Sequence, residues 1–184
     1  MDELESQIHL LQHPSGDPVH VQGAERALAY LLEHADAAHP RLVRLLEKRR
    51  AHNPAALLDA LPRFGRAEGV PVLEEFLEQG TETLCGVAAA ALARHPAEAA
   101  FDALVRALAL PRPASVSAAA DGLFTRGDAR ACAALARHLR ADDAVVRYHV
   151  VQAAAGLGCL APEELRRIAA LDPDADIRGL AGRG

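Results

Sequence analysis

From Val87 to Leu171 the chain repeats itself every 31 residues, and that period confines it to a narrow set of architectures. Leu92, Leu123 and Ala154 fall one period apart, and so do Pro96, Gly127 and Gly158. Leu104 and Leu135 share a second phase, and Leu108, Leu139 and Ala170 a third. Carried backwards, the phases land on Leu61, Gly65, Leu73 and Leu77. Carried forwards, Asp143-x-x-Val146-Arg147 lands on Asp174-x-x-Ile177-Arg178. A unit of this length is one supersecondary motif that cannot bury its apolar faces alone, so neighbouring units stack and share a core.

Composition says which kind of unit is stacked. Hydrophobic residues make up 51% of the chain but aromatics only 3%, because Ala and Leu dominate. Both are strong helix formers, and β-branched residues are sparse, which favours helix packed on helix over sheet. The 184 residues suit one domain with a sizeable core or an elongated array. A net charge of −5 does not by itself point to a polyanionic ligand. Of 20 basic residues only Lys48 is lysine, which reads as the coding bias of a GC-rich bacterial genome before it reads as anion recognition.

The three cysteines are odd in number, far apart and in no C-x-x-C arrangement. That argues against both a disulfide framework and a structural zinc site, and for a reducing compartment. The opening Met1-Asp2-Glu3-Leu4-Glu5 is acidic and lacks the apolar stretch of a signal peptide. No charge-free apolar run reaches the ~18 residues of a membrane span. The expectation is a cytoplasmic protein without a membrane partner.

Taken in order, residues 1–13 read as a helix with Asp2 as N-cap, Glu5 completing a capping box, and Leu4, Ile8 and Leu11 on one face. His13-Pro14-Ser15-Gly16-Asp17-Pro18 breaks it, and a second helix reaches about His34. Pro40 is expected to start a short basic helix, Arg41 to Arg50. Residues 1–51 fit the period poorly and are assigned as a helical N-terminal cap over the open end of the stack. The array occupies 52–184, with units at about 53–80, 81–111, 112–141 and 142–172 and a partial fifth over 173–184. That last piece is either a terminal helix or the start of a further unit. In the first unit Asn53 caps, Pro54 takes the first helical position, Gly65 to Gly69 turns, and a second helix runs from Val70 to Gln79. The third unit pairs 114–126 with 128–140, and the fourth 143–157 with 162–171.

Asp143, Val146, Arg147, Val150, Val151, Ala153, Ala154, Leu157 and Gly158 carry a resemblance to HEAT-like repeats, closest to the short variety named after phycobilisome lyases. Ala119, Ala120, Gly122, Leu123, Gly127 and Asp128 echo it in the third unit, and Asp174, Ile177 and Arg178 in the fifth. The resemblance spans roughly residues 53–181. It implies an all-α, right-handed solenoid of antiparallel helix pairs, first helices (A) on the convex side and second helices (B) on the concave side. It also implies that Asp143 with Arg147, and Asp174 with Arg178, bond between neighbouring units. Such repeats serve many unrelated functions, so the fold does not name one.

Three function classes can be tested on the residues. HEAT-like metal enzymes of the deoxyhypusine hydroxylase type use His-Glu pairs, and this chain has nine histidines but no His-Glu dipeptide. His9 and His13, four apart, have a chelating spacing without a second ligand set. HEAT-like DNA glycosylases use aromatic shelters and a basic groove. Here Trp is absent and Tyr30 and Tyr148 are the only tyrosines, although Arg106, Arg137, Arg140, Arg166 and Arg167 fall near one line. A chromophore lyase role rests on the resemblance alone, with Cys85, Cys132 and Cys159 in different phases and not expected to converge.

What remains is protein binding. Charge is blocked along the chain, −6 over residues 1–40, +5 over 41–66, −6 over 67–102 and +2 over 103–184. Glu75, Arg106 and Arg137 fall at consecutive periods, so the B-helix face is expected to run from acidic to basic and to orient a charged peptide or helix. The plainer alternative is that acidic and basic blocks neutralise one another between units. The sequence reading is therefore a non-catalytic adaptor or scaffold, without cofactor or metal, that docks another protein on its concave face through Glu75, Arg106, Arg137 and Arg140.

Overall fold

A computed structural model describes residues 2–13 and 18–183. Among these the chain is all-helical: α1 (Glu3–Gln12), α2 (Pro18–Glu33), α3 (Ala35–Glu47), α4 (Pro54–Ala60), α5 (Val70–Gln79), α6 (Glu82–Arg94), α7 (Glu98–Ala107), α8 (Pro113–Arg126), α9 (Cys132–Ala136), α10 (Ala144–Gly156), α11 (Pro162–Leu171) and α12 (Ala175–Ala181). The turn expected between α1 and α2 lies mostly outside the described residues. No strand occurs among those described.

Local signals set many of the helix ends. Asp2 and Glu5 form the capping box of α1, Asn53 accepts from the Ala56 amide, and Thr81 accepts from the Leu84 amide. Asp143 caps α10 through the Val146 amide, and Asp174 caps α12 through the amides of Asp176 and Ile177. Gly127 and Gly158 close α8 and α10 at φ +73° and +71°, a conformation open to glycine without a Cβ clash.

The helices stack as a solenoid of antiparallel pairs. The A helices α4, α6, α8, α10 and α12 pack on one another in sequence, and each B helix also packs on the A helix that follows it. Small residues permit the close row: Ala88, Ala89 and Ala91 on α6, Ser115 and Ala119 on α8, Ala153 and Ala154 on α10 are all buried. A Cβ at Gly122 would stand 2.8 Å from a Leu104 methyl and 3.1 Å from the Ala89 carbonyl oxygen, so α8 approaches α6 and α7 only with glycine there. One apolar core runs from Leu4 on α1 to Ala154 on α10, and a smaller one joins Val151, Ile168, Ile177 and Ala181.

Two helices depart from expectation. Helix α3 begins at Ala35 and runs through Pro40 rather than starting there. The proline faces solvent, as does Asp36, whose carbonyl would have accepted its missing N–H, so water can satisfy that group. In the third unit the segment 128–140 is split. A 3-10 turn at Ala129–Ala131 leads into five α-helical residues, and the tighter bonds Arg137 N–H to Ala134 O and His138 N–H to Leu135 O end it early.

Arginines tie the units through backbone carbonyls. Arg112 donates to the carbonyls of Glu78 and Gly80 at the end of α5, at 3.1 and 2.6 Å. Arg126 donates to His95 O at 2.8 Å, at the end of α6. In each case a cation meets the otherwise unpartnered carbonyls at a helix C-terminus. Arg147 does not bond Asp143: its guanidinium bonds Asp172 at 3.2 Å, at the far end of the same unit, and the carbonyls of Ala141 and Asp142 where that unit begins. Arg178 likewise bonds the carbonyls of Asp172 and Pro173 rather than Asp174. Both aspartates are committed to capping the helices they precede, which leaves the arginines to reach other oxygens.

Candidate protein-docking groove

The four residues expected to form the docking face divide into two sets. Arg106 lies across the Glu74 carboxylate of the preceding unit, with Nε at 2.7 Å and Nη2 at 2.9 Å. Glu75 accepts from Arg49 Nη2 at 2.7 Å, and the Arg49 guanidinium stacks over Phe76 at 4.0 Å. These two residues join neighbouring segments of the chain. Arg66 with Asp36, Arg94 with Asp59, and Arg130 with Glu98 follow the same pattern, each reaching back about one period. Over this part of the chain, acidic and basic blocks do neutralise one another between units.

Arg137 and Arg140 are different. Both are exposed, and neither has an ion pair or side-chain hydrogen bond among the described residues. Arg140 lines a groove of about 630 Å³ between the 139–142 linker and α11. Arg167, Leu139, Ile168 and Leu171 also line it, and Leu171 is 73% exposed. At its base the Arg147–Asp172 pair is buried, with side chains 9% and 8% exposed. Burial alone would raise the Asp172 carboxyl; hydrogen bonds from Arg147 and the Asp174 amide and the charges of Arg147 and Arg178 outweigh it and hold it below the usual range. The groove is therefore charge-balanced at its base and apolar along one wall, and its rim carries Arg140 together with the exposed Asp142 and the Arg167–Glu164 pair.

The arginine line noticed in the sequence is interrupted. Arg166 pairs with Glu163 at 3.0 Å, Arg167 with Glu164, and Arg106 with Glu74. Carboxylates interleaved at this spacing do not make the continuous cationic track that phosphate backbones require. Among the described residues no three His, Cys, Asp or Glu side chains come together as a metal set. His9 and His13 do meet, ring centroids 4.1 Å apart, with His52 6.3 Å from His13.

The cysteine expectation is corrected. Cys132 and Cys159 form a disulfide, linking the first residue of α9 to the turn between α10 and α11. They are 27 residues apart, out of phase with the repeat, so comparison of phases could not pair them. The positive-φ turn at Gly158 brings Cys159 back beside the preceding unit, and the short α9 places Cys132 at its first turn. The argument for a reducing compartment loses its premise with this bond. Cys85 remains a free thiol, buried against the carbonyls of Leu77 and Gly80 and near Arg112. No helix is long and apolar enough to cross a membrane among the described residues.

No protein-family model and no curated protein sequence matches the chain. Solved structures do. The chain is similar to the complex of CpcE and CpcF of phycocyanin lyase from Nostoc sp. PCC7120, with 21% identity over 98% of this chain and 75% of that one, at a TM-score of 0.51. It is also similar to an engineered protein, with 21% identity over 100% of this chain and 95% of that one, at a TM-score of 0.53. These likenesses show the fold, a HEAT-like helical repeat of the kind anticipated from Asp143 to Gly158. They also correct the expectation of a non-catalytic chain. A fold used by the subunits of a lyase is at home in an enzyme, and the lack of a recognisable catalytic motif does not exclude that role.

Proposed function

We propose that this chain is a helical-repeat subunit of an enzyme complex, and that it engages its protein partner at the groove beside Arg140. One observation carries the reading: Arg140 has no ion pair among the described residues and lines one groove with the exposed Leu171, in a chain that pairs many of its arginines between units, and Arg137 just before it is likewise exposed and unpaired among those residues. An apolar wall beside the unpaired Arg140 suits a partly apolar segment of another protein that brings a carboxylate to that cation. The rim sets orientation and encounter rate, and the apolar contact supplies most of the affinity. That a structural neighbour is a complex of two different subunits supports a protein partner. Of the four residues read from sequence, Arg137 and Arg140 stay in the docking face, whereas Glu75 and Arg106 hold the stack together.

The test is affinity capture from the source lysate with Arg137→Glu/Arg140→Glu as control, followed by binding of the purified captured protein. A protein captured by the native chain, and bound at least about tenfold more weakly by the double variant, supports the reading. Unchanged binding at physiological salt removes the groove from consideration.

A chromophore-handling role is the second reading, favoured by the phycocyanin lyase likeness. The groove's ~630 Å³ lies in the range of small-molecule sites. Cys132 and Cys159 are bonded to each other and Cys85 is buried, so a thiol accepting a chromophore would have to come from the partner.

A further inference from the structure

We propose that the groove between α1 and α3 is a second docking site, and that its occupant is an acidic amphipathic helix of a partner protein. The groove has a volume of about 470 Å³ and is lined by Ile8, His9 and Gln12 from α1, by Arg44 and Leu45 from α3, and by Lys48 and Arg50 just beyond it. It is held open at both ends. Arg41 clamps Asp2 at 2.8 and 3.1 Å at one end. At the other, the buried Gln12 carboxamide oxygen accepts from the His52 amide at 2.8 Å while its nitrogen donates to Ile8 O. The walls are therefore fixed relative to each other before anything binds, which lowers the ordering cost of association.

Its charge is unlike that of the stack. Between units, arginines are matched to carboxylates about one period away, as in Arg66 with Asp36, Arg94 with Asp59 and Arg106 with Glu74. Arg44, Lys48 and Arg50 are exposed and have no carboxylate partner among the described residues. Arg41 is already neutralised by Asp2, and Glu5 is the one acidic residue among the described residues that line the groove. Three cations thus converge on one cleft in a chain whose net charge is −5. Such a focused field selects a ligand of opposite sign and accelerates its approach.

The geometry specifies the ligand further. Arg44 lies in the last turn of α3 and Lys48, four residues on, caps its C-terminus, about 6 Å further along the helix axis. Carboxylates at i and i+4 of a partner helix have the same rise and meet both. Ile8 and Leu45 form an apolar floor that takes the aliphatic side chains of the same helix. The ten residues of α1 give a cleft of about 15 Å, the length of roughly three helical turns. The site is separate from the Arg140 groove and does not depend on it.

The experiment uses the full chain and a fluorescein-labelled 15-residue helical peptide with Leu at i and i+4 on one face and Glu at i and i+4 beside it, read by anisotropy. Saturable binding should weaken at least about tenfold in Arg44→Glu/Lys48→Glu at unchanged helicity, and should fall as salt rises from low to physiological strength. Arg137→Glu/Arg140→Glu should bind this peptide as the native chain does, which separates failure here from failure of the other groove. Equal affinity for the Arg44/Lys48 variant, or equal binding of a control peptide carrying Lys in place of Glu, overturns the proposal. So does a small anionic amphiphile such as anilinonaphthalene sulfonate bound in an Arg44/Lys48-dependent way while the peptide does not bind, because the cleft is then a small-molecule site.

Discussion

The Arg106 guanidinium sits on the Glu74 carboxylate, Nε 2.7 Å and Nη2 2.9 Å away, and so ties the second unit to the first. The pair is on the surface, with Arg106 58% exposed, so water and salt screen it. Replacing Arg106 with Ala should cost under about 1 kcal/mol in chemical denaturation and leave partner binding unchanged. Loss of partner binding in that variant would return Arg106 to the docking face.

The Cys132–Cys159 bond closes a 27-residue loop across the junction of the third and fourth units. Restricting the unfolded chain in this way is worth about 2–4 kcal/mol, so reductant or Cys132→Ser should lower the denaturation midpoint correspondingly. Thiol titration of the unfolded protein should find one reactive group, Cys85, before reduction and three after it. Three thiols without reductant would show that the bond is not formed.

Leu123 is fully buried on α8 at the phase shared by Leu92 and Ala154. Its neighbours are fixed by helices on several sides and close only partly around a hole, so Leu123→Ala should cost about 2–5 kcal/mol. A loss well below 1 kcal/mol, measured by urea unfolding, would mean that the register of the repeat is misplaced.

Burial holds the His39, His95 and His138 rings below the usual histidine range, with Arg66 adding to the effect at His39, Arg126 at His95 and Arg137 at His138. His95 accepts from the Ala97 amide on Nδ1 and faces Arg66 O with Nε2, an arrangement suited to the neutral ring. As pH falls through 6.5 the unfolded chain binds protons that the folded chain refuses, so stability is retained above that pH and declines below it. Melting temperature should drop between pH 7.5 and pH 5. His39→Leu should flatten that slope without loss at neutral pH, since the buried His39 Nε2 has no hydrogen-bond partner among the described residues. A slope as steep as in the native chain would exclude His39 as a contributor.

The boundaries of α4, α5 and α6 were legible because each ends on a local device. Asn53-Pro54, Pro71 early in α5, and Gly80-Thr81 act through bonds within a few residues, which sequence spacing reports directly. The buried leucines at 61, 73, 92, 104 and 123 were legible for a related reason: the period places equivalent positions in equivalent surroundings. Helix α3 escaped that reading because a proline within a helix is a strong local stop signal, and solvent exposure at Pro40 removed its cost.

The sequence by itself determined the helical repeat and much of its core. Only the tertiary structure decided which charges are spent between units and which are left over. Glu75, Arg106 and Arg137 share one phase, yet the first two are ion-paired and the third has no ion pair among the described residues, because pairing depends on the side chain that a neighbouring segment brings within about 3 Å. The same holds for Cys132 and Cys159, joined by a turn that carries no periodic signal. A period records what every unit has in common, whereas contacts that differ from unit to unit exist only once the chain has folded back on itself.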